Sequence, residues 1–449
     1  MQSFELDRSD LQRIKVALEG TDADLQEVLG QYHSSQIAIL FDKLLPEERE
    51  RIINILPTED ASEVIAEMEE EQDAAELLVN LAPEKRSEIV EELDYDDATD
   101  LIAQLDESDQ QEILGDLDEE DASNIRTLLS YKDDTAGGLM NTQLIKVNTQ
   151  LTKNEALEEI IRLSEEMEEF YTLYAVNDED KLMGILSLKD IIKAKKQVTV
   201  AELVNTDFVF VKADLDQEEV AKLISQYNLT SVPVVSDDMK LLGRITVDDI
   251  IDVLQEENTE DILKISGVSE DEELAGKWQD AIKSRLPWLV INLATAFLAA
   301  SVIRSFDDVA KKLPVISAYM VIIAGMGGNA ATQALAVTVR RISLSDLTDQ
   351  QAYSTVRKEF LVGMINGAAT GLIVFVVAMF YDANPMLGLV MFLAMTGNLI
   401  VAGLTGATIP LLLKRVGIDP AVASSIIITT FTDCVGFLMP LWFATKLLL

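Results

Sequence analysis

The chain has 449 residues, a mean hydropathy of +0.16 and 25% charged residues, a combination one uniform globular domain rarely shows. Dividing it after Glu273 explains the mixture: residues 274–449 hold 13 Lys and Arg against 9 Asp and Glu, whereas the first 273 hold 23 against 69. A strongly acidic arm therefore precedes a nearly neutral apolar block. Nucleic acid is excluded as a partner, because phosphate binding needs clustered Lys and Arg, and cations are favoured as ligands. One Cys (Cys434) excludes a disulfide framework within the chain, and one His (His33) leaves no basis for His-based metal or triad chemistry. The polar amino terminus, MQSFELDRSD, reads as lacking a signal peptide.

In the acidic arm, Leu56, Met68, Leu81, Leu93, Leu105, Leu117 and Leu129 recur about every twelve residues. Motifs such as LPEERERI, LAPEKRSEIV and LDEEDASNIR follow the repeated position, with Pro or acid in the first turn and apolar residues at helical spacing. That pattern predicts short stacked helices, an α-solenoid-like array over residues 1–135. Most of its carboxylates read as a solvated face.

A second repeat follows. LYAVNDEDKLMGILSLKDIIK (173–193) matches VPVVSDDMKLLGRITVDDIID (232–252) at a constant offset of 59, with Lys181/Lys240 and Gly184/Gly243 identical. Each copy reads strand, turn, strand, helix. MNTQLIKV and VNTDFVFV align upstream, each followed by a helix, giving two β-α-β-β-α modules at 136–198 and 199–258. Two such modules resemble a CBS-domain pair. The [ST]-x-x-D segments Ser187–Asp190 and Thr246–Asp249 match that family's usual nucleotide-contact motif, and the same spacing is a helix-capping box.

After a connecting helix expected over 259–284, five apolar stretches run at 286–303, 313–339, 360–381, 385–413 and 422–445. A bilayer-spanning helix needs about 20 apolar residues, so each reads as a span within a membrane domain at 285–449. Lys277, Lys283, Arg285, Arg340, Arg341, Arg357, Lys358, Lys414 and Arg415 fall on one side, against Arg304, Lys311, Lys312 and Lys446 on the other. The positive-inside rule then makes the acidic arm cytoplasmic and the carboxyl tail external.

The apolar stretches carry one formal charge, Asp433, in IIITTFTDCVGF. A carboxylate at membrane depth is costly unless it faces water, a cation or a partner. An ion-pathway carboxylate and a protonated Asp bonded to a neighbouring helix are the two readings. Thr429 and Gly436 share its helical face. GMGGNAATQ (325–333) and TGNLIVAGLTGATIP (396–410), the latter with Asn398 and Pro410, extend a polar seam. Asp419 precedes Pro420, which reads equally as a cap of the last span.

An acidic helical arm, a CBS pair and five spans with Asp433 in the last are similar to the MgtE family of magnesium channels and transporters throughout the chain. The fold this implies is an α-helical membrane protein with five transmembrane helices, an α-solenoid-like N domain and an α+β CBS pair. The resemblance implies a cell-membrane homodimer in membrane lipid, carrying Mg2+ passively down its electrochemical gradient. Its pore motif maps to Asp433, Gly328 and Asn329. Thr332 stands where relatives often carry a second Asn, and Ser425-Ile426 where they often carry Asn-Pro. The family's gate closes when cytosolic Mg2+ bridges acidic surfaces. The matching positions are Glu63, Asp96, Asp100, Asp216, Glu218, Asp249, Glu257, Glu260, Asp261 and Asp419. Asn228 stands where relatives carry an acid. ATP is implied as a regulatory ligand at Ser187, Asp190, Thr246 and Asp249.

Two alternatives stand beside Mg2+ transport. One is a broader channel for Mn2+, Co2+, Ni2+ or Ca2+; the other is a membrane sensor that reads adenine nucleotide and transports nothing. An enzyme is disfavoured by the lack of a P-loop, an HExxH or a G-x-S-x-G motif.

Overall fold

The structure is a computed structural model, and it describes residues 8–68, 74–164, 172–195, 197–269, 278–344, 347–422 and 425–449. The chain divides into two compact units, Met1–Leu254 and Gln255–Leu449.

The first unit opens with ten described helices: α1 (Arg8–Leu18), α2 (Asp22–Leu29), α3 (Ser34–Phe41), α4 (Pro46–Ile55), α5 (Thr58–Ala66), α6 (Ala74–Asn80), α7 (Pro83–Glu92), α8 (Tyr95–Ala103), α9 (Glu107–Asp116) and α10 (Glu119–Leu128). From α2 onward each packs against the helix two places along, α3 on α5 on α7 on α9 and α4 on α6 on α8 on α10, as a solenoid stacks. The twelve-residue repeat has a physical cause here. Leu56, Leu93 and Leu117 cap the ends of α4, α7 and α9 and are buried, so each of these three closes one helix and plugs the core, while Met68, Leu105 and Leu129 pack against it partly buried. Asp106 and Asp118 accept hydrogen bonds from the first-turn amides of α9 and α10, so part of the acidity caps helices.

The two modules follow as β1 (Lys146–Asn148), α11 (Lys153–Leu163), β2 (Thr172–Val176), β3 (Leu182–Ser187) and α12 (Leu188–Lys193), then α13 (Val200–Leu203), β4 (Val211–Lys212), α14 (Gln217–Tyr227), β5 (Ser231–Val235), β6 (Leu241–Thr246) and α15 (Val247–Ser266). Each sheet has its first two strands parallel and its last two antiparallel, so the repeated order carries the same topology twice. Lys181 and Lys240, equivalent by sequence, meet in an antiparallel bridge between the modules.

The second unit holds the end of α15, then α16 (Trp278–Ser305), the short α17 (Asp307–Lys312), α18 (Val315–Leu344), α19 (Asp349–Tyr381), α20 (Pro385–Arg415) and α21 (Ser425–Leu447). Five of these are long and apolar enough to cross a membrane. Packed against α18, α19 and α21, α20 is the centre of the bundle, while α16 leans chiefly on α21. Gly363, Gly367 and Gly371 recur every four residues along α19, and a Cβ at each would stand 3.0 Å or less from backbone atoms of α20. The missing side chains let the two backbones meet, as small residues do where lipid supplies no hydrophobic drive.

Two expectations are corrected. The connecting helix does not continue over 259–284: α15 ends at Ser266, where Gly267 adopts φ +75. Val268 N–H donates to Leu263 O and Gly267 N–H to Lys264 O, a left-handed stop that glycine takes without steric cost. Residues 270–277, including Lys277, lie outside the described residues. Asp433 is also not the sole acid within the long helices. The third span begins at Asp349, so Glu359, just before the apolar stretch, lies inside α19 and is only 6% exposed.

Candidate ion path and acidic surfaces

Three helices build the membrane seam. On α21, Asp433 is half-buried, with Thr429 a turn before it and Gly436 nearly a turn after. On α18, Gly328 faces this surface: a Cβ there would stand 3.4 Å from the Thr429 methyl. Asn329 follows with an exposed side chain in the single chain. Thr332, where the resemblance led to expect a second Asn, donates its hydroxyl proton to Gly328 O at 3.1 Å. One lone pair of that carbonyl is therefore engaged, which bears directly on the candidate pore-motif residue.

From α20 comes a residue that the sequence flagged only as a polar interruption. Asn398 is fully buried, and its Nδ2 donates to Ile323 O on α18 at 2.9 Å. Its Oδ1 is buried with no protein partner. A hydrogen bond between membrane helices contributes about 0.6 kcal/mol on average, whereas an unpaired buried oxygen costs roughly 1–3 kcal/mol. By those magnitudes Asn398 does not stabilise the bundle.

The acids of the first unit lie as follows. Glu63, on α5, accepts from the Ser34 hydroxyl at 2.6 Å. Asp96 and Asp100 lie on α8, where Asp96 accepts from Asn141 Nδ2 at 3.1 Å. Burial pushes Asp96 well above the usual carboxylate range, with Asp97 and Asp249 adding repulsion. Asp97 is pushed up to about 7, first by desolvation and then by Asp94, Asp249, Asp100 and Glu67. Its surface stays open to water, so screening reduces that effect, but desolvation and the repulsion from these four neighbouring carboxylates act in the same upward direction. Asp97 and Asp94 were missed by sequence reasoning; their place beside Asp96 in LDYDDATDLI was the available signal.

Asp249 is also raised by burial, against the lowering effect of its bonds from Thr246 N–H at 3.0 Å and Thr246 Oγ1 at 2.7 Å. The second [ST]-x-x-D motif is thus closed as a helix cap. The first differs: Ser187 precedes α12 without a side-chain capping bond, and both Ser187 and Asp190 are exposed. Asp216 caps α14 through Glu218 N–H, while Glu218 pairs with Lys222 at 3.1 Å. Asn228 ends α14 at φ +52, a left-handed position that Asn tolerates well, which gives its identity a local reason.

In the second unit, the end of α15 is tied to the membrane helices. Asn258 accepts from Arg340 at 2.7 Å, and Asp261 accepts from the Ser343 hydroxyl at 3.2 Å. Lys264 contacts Glu260 on its own helix and Asp419 at 2.9 Å. Asp419 also accepts from Ala421 N–H at 2.8 Å, so it caps the turn at Pro420–Val422 as its sequence suggests. Glu257 lies half-buried on the same helix. Among the described residues, no group of three or more His, Cys, Asp or Glu is gathered closely enough to hold a metal.

An acidic helical arm, a pair of β-α-β-β-α modules and five long apolar helices, one of them carrying a carboxylate, describe a multi-pass membrane protein of the cation-transporter class. Comparison with known proteins gives the same class. The MgtE family, described as "Divalent cation transporter", matches residues 320–443, the MgtE intracellular N domain matches 32–134, and CBS domains match 136–197 and 200–256. The Thermus thermophilus "Magnesium transporter MgtE" is 33% identical over 96% of both chains. The Bacillus subtilis protein of the same name is 29% identical over 99% of this chain and 98% of its own. Among solved structures, "the cytosolic domain of the Mg2+ channel MgtE in complex with ATP" aligns at TM-score 0.52 and 35% identity, covering 55% of this chain and 99% of that one. "The soluble part of a magnesium transporter" aligns at TM-score 0.51 and 29% identity, covering 56% and 98%. The chain belongs to the MgtE family.

Proposed function

We propose that this chain is a Mg2+ channel or transporter, working as a homodimer in the cell membrane with its amino terminus cytoplasmic. The observation that carries the reading is Asp433, half-buried on the α21 face that meets Gly328 of α18. One carboxylate makes a poor divalent site, and a two-fold axis brings a second beside it. Mg2+ keeps most of its water and prefers octahedral oxygen, so two Asp433 carboxylates with carbonyl and amide oxygens near Gly328 and Asn329 suit a largely hydrated ion. Flux is passive: 100 mV drives a divalent cation inward by about 4.6 kcal/mol, from roughly 2.3 per charge.

Closure is assigned to cytosolic Mg2+ acting through Glu63, Asp96, Asp100, Asp216, Glu218, Asp249, Glu257, Glu260, Asp261 and Asp419. The donor set fits: all are oxygen ligands, and the mutually raised carboxylates of α8 and Asp249 lose repulsion when a cation arrives. A ligand closes the path only through its preference for the closed state. Adenine nucleotide is proposed as a regulatory ligand at Ser187, Asp190, Thr246 and Asp249. The domain limits 1–135, 136–198, 199–258, 259–284 and 285–449 are kept as functional divisions, the fourth now holding the end of α15, to Ser266, and the start of α16, from Trp278.

The broader divalent reading has one observation in its favour. Thr332 engages the Gly328 carbonyl where relatives often carry Asn, altering the oxygen set around the central ion.

The test is Mg2+ influx into proteoliposomes holding the wild type or Asp433→Asn. Influx that collapses in the variant supports the path; a silent, well-folded wild type moves the reading to the sensor or to another cation.

A further inference from the structure

We infer that Asn398 is a positioning residue of the ion path: its carboxamide fixes where Gly327, Gly328 and Asn329 of α18 stand against the Asp433 face of α21. The inference rests on the cation transport proposed above.

Side chains on an α-helix lean toward its amino end and cover the preceding turn. A side chain at position 327 would therefore stand over the Ile323 carbonyl. Gly327 leaves that carbonyl open, and the Asn398 amide enters: a Cβ at 327 would lie 2.1 Å from Asn398 Nδ2 and 3.2 Å from Thr432 Cβ. The glycine and the amide are thus two halves of one joint between α18 and α20.

The joint reaches α21 as well. A Cβ at Gly436 would stand 3.1 Å from the same Nδ2 and 3.0 Å from Ala324 Cα. Gly436 follows Asp433 by three residues, on its face of the helix. One fully buried amide therefore meets the α18 turn that leads into Gly328 and the α21 turn that follows Asp433. With Nδ2 bound to Ile323 O, the planar amide also fixes Oδ1, which has no protein partner. An apolar side chain of similar volume would fill the space without leaving an oxygen unpaired. The polar group is therefore explained by direction, since a hydrogen bond sets register where apolar packing permits slippage.

The test uses the full chain in proteoliposomes, with Mg2+ and Co2+ influx measured separately and Asp433→Asn as reference. Gly327→Ala alone is expected to push the Asn398 amide off the Ile323 carbonyl, since its Cβ meets the end of that side chain. Adding Asn398→Ala vacates that space, and the double variant is expected to fold as the wild type does, judged by size exclusion and thermal unfolding. Its Mg2+ influx, or its Mg2+ over Co2+ ratio, should fall about tenfold. Asn398→Leu should lose the ratio in the same way and serves if the double variant is unstable. Folded variants with wild-type influx and ratio would make Asn398 a packing residue and overturn the inference. A wild type that passes no Mg2+ defeats the transport reading itself, before any variant is compared.

Discussion

Lys264 reaches from α15 to Asp419, its ε-ammonium 2.9 Å from the carboxylate, while also touching Glu260 one turn back. Two acids proposed to take part in Mg2+-dependent closure thus share a counter-ion supplied by the chain. Lys264 is 15% exposed and the acids about a third or more, so a pair of this kind is worth up to about 1 kcal/mol.

Replacing that charge should make docking of α15 more dependent on Mg2+. Lys264→Met leaves Glu260 and Asp419 facing each other unneutralised. At low internal Mg2+, its influx should exceed the wild type by roughly two- to fivefold, the factor that about 1 kcal/mol represents. At high Mg2+ both should close. Equal influx at every internal Mg2+ concentration would remove Lys264 from the closed state.

A pH effect should centre on α8. Asp96, Asp97 and Asp249 have carboxyl groups raised in the folded protein, so between the ordinary carboxylate range and about pH 7 the folded state holds more protons than the unfolded. Stability from this cluster is present at low pH and is lost as pH rises through that window. Without Mg2+, hydrogen exchange along α8, corrected for intrinsic rate, should quicken from pH 5 to pH 8. Added Mg2+ should reverse the change, and Asp97→Asn should flatten it. A flat profile in the wild type would contradict the account.

Arg86 tests a different balance. It is 3% exposed and pairs with Glu112 at 3.0 Å and Asp116 at 2.7 Å, but both acids keep contact with water. Removing it therefore strands no buried charge, and the main loss is packing. Arg86→Ala should destabilise the arm by about 2 kcal/mol, and Arg86→Met, which refills the space, by about 1 kcal/mol or less. Denaturant unfolding decides; equal losses would mean the ion pairs dominate.

The two [ST]-x-x-D motifs should separate nucleotide capture from capping. Thr246 is bound to Asp249, whereas Ser187 makes no capping bond. Thr246→Ala removes the hydroxyl that donates to Asp249 and should cost about 1 kcal/mol of stability whether or not nucleotide binds. Ser187→Ala should leave stability unchanged and weaken ATP binding. Calorimetry showing no saturable heat with ATP in the wild type would end the nucleotide reading.

The sequence exposed what is periodic or repeated. The twelve-residue leucine spacing, the offset of 59 and the five apolar runs each became the expected elements, because each follows from a helical or strand period that one chain can display. Contacts between distant positions left no such trace. Asn398 and Ile323 lie 75 residues apart, and nothing in either segment names the other. Glu359 was placed outside its span because hydropathy falls at RKE, although the helix begins earlier, at a Thr348 capping box. Gly267 is legible in the sequence as a helix stop, but the connecting helix expected over 259–284 runs past it.

The placement of α16 bears on how the bundle is made. Its chief packing partner is α21, the last of the five described spans in chain order. During synthesis the first span is therefore made well before its chief partner, with α18, α19 and α20 emerging in between. Its permanent seat exists only once the helix bearing Asp433 has been inserted. A ribosome that stalls before α21 would leave behind a nascent protein whose opening span has no mate, a ready mark for membrane quality control.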